Sequence, residues 1–287
     1  MSANLRTWDG AELPSPAVAV LPAAAAAARQ VPGLAVVVLA LNEARRLPGC
    51  LRSADFAERV IVIDAGSADD TVAVARACGA QVQVHADWQG FAVQRERALA
   101  YCKEARYIFF LDADEEFTPA LQAEIAALAA SGAQAAWKVQ WQQMAFGHPL
   151  HGMARGSGMP RLFHAACLQG FEGVVHEQAR LAPGTSVLRL RNKLPHHSYD
   201  TVQGSLKKLT QYAILGASKR AALGQRGGIL RGMASALAVF LRFYVLQRGF
   251  LAGGPGFLYC YLHAQECFFR YAALKYDREL LHDRVKR

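Results

Sequence analysis

The stretch from Tyr107 to Glu116 constrains the fold more than any other part of the chain. Five apolar residues, Tyr107 to Leu111, run straight into Asp112, Asp114, Glu115 and Glu116, with only Ala113 between them. An unbroken apolar run of this length suits a strand of a parallel sheet covered on both faces. Its carboxyl end, where the acids fall, is where open α/β sheets bind ligands. Like charges this close raise one another's proton affinity unless a cation compensates them. A divalent cation carrying a phosphate group would do so.

The rest of the front half repeats the theme. The continuous apolar run 34–41, the segment Arg59-Val-Ile-Val-Ile-Asp64 and the short segment Gln81-Val-Gln-Val-His85 read as three earlier strands. Between them, residues 44–53, 71–78 and 90–104 read as helices, and Thr118-Pro119 reads as cap and first position of a helix over residues 121–130. Ser67 or Asp69 is placed to cap the second helix. This alternation predicts a doubly wound α/β sheet. Residues 136–141 and 159–163 alternate at period two, and the Gly- and His-rich segment 144–158 reads as a loop. From Thr201 the pattern is helical over 203–223, 228–248 and 255–281, with glycine-rich breaks between.

At 287 residues and 53% hydrophobic, the chain can bury a sizeable core. Six cysteines without metal-ligand spacing read as reduced core residues, and the N-terminus has no secretory pattern. Charge is unevenly spread. Residues 1–184 hold 15 Lys and Arg against 18 Asp and Glu, whereas residues 185–287 hold 17 against 5. Such a basic rear suits nucleic acid, anionic lipid or an anionic substrate. The uncharged run Gly232 to Leu241 is short and bounded by Arg231 and Arg242, which predicts no membrane span. Arginines beside apolar, aromatic helices instead suit a helix lying in a membrane interface, or an ordinary packing helix with a solvated basic face. The expected domains are an Ala- and Pro-rich extension over 1–32, an α/β domain over 33–200 and a helical basic region over 201–287.

Asp112 and Asp114 are two residues apart, so along a strand their side chains share a side and could hold one metal between them. Glu43 and Asp64 end the first two strands and would line the same crevice, or else simply cap the helices that follow. Together, Val38-Leu-Ala-Leu-Asn-Glu43, Val62-Ile-Asp-Ala-Gly-Ser-Ala-Asp-Asp-Thr71, Gly90-Phe-Ala-Val-Gln-Arg95 and Phe110-Leu-Asp-Ala-Asp-Glu115 resemble the family 2 glycosyltransferases of the GT-A fold. That resemblance implies a GT-A-like mixed sheet with a helical, basic C-terminal extension. It implies that Asn42, Glu43 and Asp64 contact the nucleoside of a nucleotide-sugar, with a UDP-hexose as the expected donor. Gln94 and Arg95 would face its diphosphate or sugar, Asp112 its ribose or sugar, and Asp114 would ligate Mg2+ or Mn2+. Glu115 and Glu116 would begin the next helix.

Further on, Pro160-Arg-Leu-Phe163, Phe171-Glu-Gly-Val-Val-His-Glu177 and His196-His-Ser-Tyr199 resemble the lipopolysaccharide inner-core glucosyltransferases. The resemblance implies transfer of glucose to a lipopolysaccharide core acceptor, with Glu177 as general base beside His176. Glu177 could instead pair structurally with Arg161 or Arg155. His196 or His197 would be a further metal ligand or would contact the diphosphate. A polyprenyl-phosphate acceptor is an alternative. So is a non-catalytic basic module binding membrane or nucleic acid, or a nucleotidyltransferase or phosphohydrolase using the same acids. On the glycosyltransferase reading nucleic acid is no partner. The expected place is the cytoplasm, peripheral on the inner face of the cytoplasmic membrane, bound to anionic lipid.

Overall fold

A computed structural model of the chain describes residues 30–150, 155–156, 158–173 and 178–281. All but the last three residues of the expected N-terminal extension lie outside these. The described chain runs β1 (Val31–Ala40), α1 (Leu47–Ser53), β2 (Ala57–Asp64), α2 (Thr71–Ala77), β3 (Gln81–Val84), α3 (Phe91–Leu99), β4 (Tyr107–Asp112) and α4 (Pro119–Ser131). Then come β5 (Ala136–Ala145), β6 (His148–Pro149), β7 (Arg155–Gly156), β8 (Leu162–His164), β9 (Leu168–Glu172), β10 (Gln178–Leu181) and β11 (Val187–Tyr199). Helices α5 (Val202–Ala222), α6 (Ile229–Leu241), α7 (Gly253–Tyr276) and α8 (Arg278–Leu281) complete it.

The main sheet has the order β11-β5-β8-β4-β1-β2-β3. The strands β4, β1, β2 and β3 are parallel, and β8 enters antiparallel between β4 and β5. This is a mixed α/β sheet, as expected. The apolar runs alternate between two cores. Leu34, Val36 and Val38 of β1 and Tyr107, Phe109 and Leu111 of β4 join Leu47, Leu121 and Ile125 from α1 and α4. Ala35, Val37, Ile108 and Phe110 face the other way, to Ala92 and Ala98 of α3 and to Phe171 of β9. Side chains that alternate in direction, both sets buried, explain why these strands show no polar face.

Several boundaries differ from the sequence reading. The helix expected over 44–53 starts only at Leu47, with Pro48 in its first turn, the position where a missing N–H is harmless. The helix expected over 90–104 stops at Leu99. The segment read as a loop over 144–158 contributes β6 and β7, both paired with β5. Glu115 and Glu116 do not begin a helix. That helix starts at Pro119, capped by Thr118, whose hydroxyl accepts the Leu121 N–H at 3.2 Å.

The C-terminal helices follow the sequence reading closely, with one correction. Residues Ile229–Leu246 form, among the described residues, one helix long and apolar enough to cross a membrane, with a mean hydropathy of 1.6 over 18 residues. Arg242 does not end it, because the backbone continues through a π-helical stretch, Arg242–Leu246. Length and composition alone pass this test, and only 11% of the window is buried.

Candidate active site

Parallel register places the chemistry. Leu39 of β1 pairs with Asp112 of β4, and Ala40 pairs with Asp64 of β2, so both aspartates end their strands beside the end of β1. Asn42 follows in the left-handed region (φ 55°), a conformation that asparagine tolerates better than most residues. There its side-chain oxygen accepts the Ala68 N–H at 2.8 Å, and its own N–H donates to the Ser67 hydroxyl at 2.8 Å. The Glu43 N–H donates to the Thr71 hydroxyl at 2.8 Å. Asp64 is fully buried and accepts the Gly66 and Ser67 N–H groups, each at 2.9 Å, and the Ser67 hydroxyl. A Cβ at Gly66 would lie 3.0 Å from that of Ala86, and its φ of +91° suits glycine alone. Asn42, Glu43 and Asp64 thus build one braced rim. Asp69, rather than the N-cap residue Asp70, takes the first N–H of α2, that of Thr71, at 3.0 Å.

The opposite side is electrostatic. Asp112 accepts two hydrogen bonds from Arg161, at 3.0 and 2.6 Å, and one from Arg95 at 3.2 Å. Both guanidinium groups are buried, with Arg95 lying 5.7 Å from the Phe110 ring and Arg161 5.6 Å from Trp141. Burial opposes the charge on Asp112, but Arg161 and then Arg95 hold its carboxyl well below the usual range. Gln94, also buried, donates to the His85 carbonyl at 3.1 Å, which ties α3 to the end of β3.

Asp114 is brought to His196 by the backbone. The His197 N–H donates to the Asp114 carbonyl at 2.7 Å, and the Glu116 N–H to the Pro195 carbonyl at 3.2 Å. The His196 Nε2 then lies 3.4 Å from Asp114 Oδ2, with the ring tilted over Trp141 at 5.5 Å. Burial opposes charge on both groups. Their contact overrides it, so Asp114 is lowered and His196 raised. His197 points instead to Glu116, at 3.9 Å. Glu43 feels burial first, which raises its proton affinity; the Arg46 charge opposes this and the Asp114 charge adds to it.

Behind these residues sits Glu115, fully buried. It accepts the Trp141 indole N–H at 2.6 Å and the Asp112 N–H at 3.0 Å, with Arg161 3.8 Å away. Burial pushes its carboxyl up to about 7, Arg161 opposing and Asp112 adding. A folded-state value above the ordinary 4.5 of a free glutamate means that stability is fully present below pH 4.5 and lost as pH rises toward 7. Glu115→Gln should therefore gain on the wild type by about 1–3 kcal/mol between pH 5 and 8. Urea unfolding at both pH values measures this; a difference that does not change with pH refutes the neutral carboxyl.

The structure thus gathers Asn42, Glu43, Asp64, Gln94, Arg95, Asp112, Asp114, Arg161 and His196 at one end of the sheet. His176 and Glu177 lie outside the described residues. The residues bracketing them, Glu172 and Gln178, pair across β9 and β10. Arg161, named from sequence as a possible partner of Glu177, is instead the main partner of Asp112, and the roles of Glu115 and Trp141 carried no local signal. Among the described residues no group of three or more His, Cys, Asp or Glu side chains is arranged to hold a metal. Asp114 and His196 are two side chains of suitable chemistry, a carboxylate and an imidazole, and this pair would fit an ion completed by phosphate oxygens of a ligand.

Residues 35–148 match the family model "Glycosyl transferase family 2". The lipopolysaccharide core biosynthesis glycosyltransferase LpsC of Rhizobium meliloti is 24% identical over 254 residues, covering 83% of this chain and 93% of the relative. An uncharacterized glycosyltransferase of Rickettsia bellii is 26% identical over 260 residues, covering 84% and 86%. Among solved structures, glucosyl-3-phosphoglycerate synthase from Mycobacterium tuberculosis, in complex with Mn2+, uridine diphosphate and its glucosylated product, is 25% identical with a TM-score of 0.33. That match covers 42% of this chain and 46% of the other, so the chain spans less than half of the solved structures it matches.

Proposed function

We propose that this chain, a family 2 glycosyltransferase resembling the lipopolysaccharide core transferases, moves a hexose from a UDP-sugar to a lipopolysaccharide core acceptor, inverting the anomeric centre. Glucose is the proposed sugar. The α/β unit 33–200 would carry the chemistry and the helical unit 201–287 would seat it at the cytoplasmic membrane. The observation that carries the reading is the Asp112–Asp114 pair at the end of β4. One carboxylate is held by two arginines, and the other contacts His196, with 18% of its side chain exposed.

The roles follow from the contacts. The braced rim of Asn42, Glu43 and Asp64 would receive the nucleoside. Asp112, its charge already answered by Arg161 and Arg95, would accept hydrogen bonds from ribose or sugar hydroxyls rather than compete for a cation. Asp114 and His196 would hold Mg2+ or Mn2+, which supplies charge neutralisation to a leaving diphosphate. Lys208, 2.8 Å from the Ser198 carbonyl and within electrostatic reach of Asp114 and Glu43, adds positive charge to the same crevice. Glu177 would take the proton of the acceptor hydroxyl as its oxygen forms a bond to the anomeric carbon. The bond to the diphosphate oxygen breaks on the opposite face, and the electron pair leaves with UDP. One displacement needs one base.

The test is a screen of nucleotide-sugars for turnover on lipid extracts, with product structures determined. A polyprenyl-phosphate product would move the acceptor to that second reading, which the basic rear half supports as well. Free sugar phosphate would point to phosphohydrolysis. Asp114→Ala should lower turnover roughly 10²-fold or more and remove its response to Mn2+. A variant still stimulated by metal would refute the ligand assignment.

A further inference from the structure

Among the described residues the helical region leaves a large apolar surface uncovered along α6. Leu230, Met233, Leu237, Leu241 and Val245 recur at helical spacing along α6 and its π-helical continuation, all exposed. Leu230 is 83% and Leu246 77% exposed, and Phe250 and Leu251 extend the patch around the turn into α7. The opposite face of α6 is packed. A Cβ at the buried Gly232 would lie 3.0 Å from the Phe268 carbonyl of α7, and Phe240, Phe243 and Tyr244 pack on Ala145, Leu150 and Tyr259. Apolar patches of this extent mark a partner or a bilayer.

Charge selects between them. From residue 201 to 265 the chain has eight Lys and Arg and no Asp or Glu. We propose that α6 and its continuation to Ala252 lie in the headgroup–acyl boundary of an anionic bilayer, ridge inward, with Arg242 and Arg248 at headgroup level. Spanning is disfavoured although the helix is long enough. Crossing would carry the packed α7, with its Glu266–Arg270 ion pair, into hydrocarbon. The proposal deepens the reading above by naming the surface on which a lipid-linked acceptor is met. The seat is joined to the crevice. Tyr199, three residues beyond His196, hydrogen-bonds His263 of α7 at 3.2 Å and packs on Tyr259 at 5.0 Å.

Cosedimentation of the full chain with vesicles tests this without any sugar nucleotide, so its outcome is independent of catalysis. Binding is expected to vesicles of equal phosphatidylcholine and phosphatidylglycerol, and to be about tenfold or more weaker to phosphatidylcholine alone or at high salt. Leu237→Glu with Leu241→Glu should lose that binding at least tenfold. The same variant should keep its melting temperature and its turnover on a detergent-dispersed acceptor. Undiminished binding by this variant overturns the proposal, as does absence of binding by the wild type. Resistance of the bound protein to alkaline carbonate would show a span instead. A wild-type dimer in solution that the same substitutions disperse would assign the ridge to a second copy of this chain.

Discussion

Glu177→Gln is expected to lower glycosyl transfer roughly 10²- to 10⁴-fold, the usual contribution of a positioned general base. The amide keeps the size of the side chain but cannot take a proton from the acceptor hydroxyl. Binding of the UDP-sugar should survive, because the nucleoside rim and the Asp114–His196 pair belong to other elements. The donor with Mn2+ should therefore still raise the melting temperature of the variant by mass action. The segment carrying Glu177 is bracketed by anchored strands. Phe171 of β9 packs edge-on to Phe110 of β4 at 4.9 Å, and Glu96 of α3 holds its N–H at 2.6 Å. Both contacts tie β9 to the elements that carry Arg95 and Asp112. Turnover within a few-fold of wild type, with donor binding intact, would remove Glu177 as base. Loss of both turnover and donor-induced stabilisation would mark it as a donor ligand instead.

What the sequence disclosed follows the range of the interactions. The strands β1 and β4 were legible because both their faces are buried, which leaves a continuous apolar run, whereas the half-exposed β3 showed only a short Gln-Val alternation. Asp64, Asp112 and Asp114 were legible because a strand's end is a local event. In contrast, β11 carries Arg189, Arg191, Lys193 and Pro195 and pairs with β5 through two register shifts. It exposes one side, so Leu188-Arg-Leu-Arg191 does alternate, but Pro195 and the two register shifts break the pattern before the strand's end. The role of Glu115 depends on Trp141, 26 residues away, and no neighbour in sequence announces it. Its closeness to Thr118 and Pro119 suggested a helix start, yet the cap that ends the search for N–H partners is Thr118. Arg161 stands in a segment that reads as alternating, where a charge marks the exposed side, and only the fold buries it. A buried arginine demands a carboxylate, and Asp112 supplies it.

That demand gives the other large effect, on stability. Arg161→Met keeps most of the side chain's volume but leaves Asp112 with Arg95 alone and Glu115 without its nearby cation. Removing one partner of this partly buried pair is expected to destabilise by about 1.5–3 kcal/mol, because the Asp112 carboxylate loses two charge-assisted hydrogen bonds. Asp112→Asn in the same background should recover part of that loss, since no anion then needs compensation. The coupling should be about 1–3 kcal/mol in a double-mutant cycle followed by urea unfolding. The pH dependence separates this from simple loss of packing. Asp112 is depressed below the ordinary 3.8 of a free aspartate, so its stabilisation is present above that pH and lost as pH falls through the folded-state value. Wild type should lose stability steeply below pH 4, and Arg161→Met should lose less over the same range. Parallel acid-unfolding curves would mean that Arg161 contributes through its contacts with Trp141 and the Phe110 carbonyl rather than through charge.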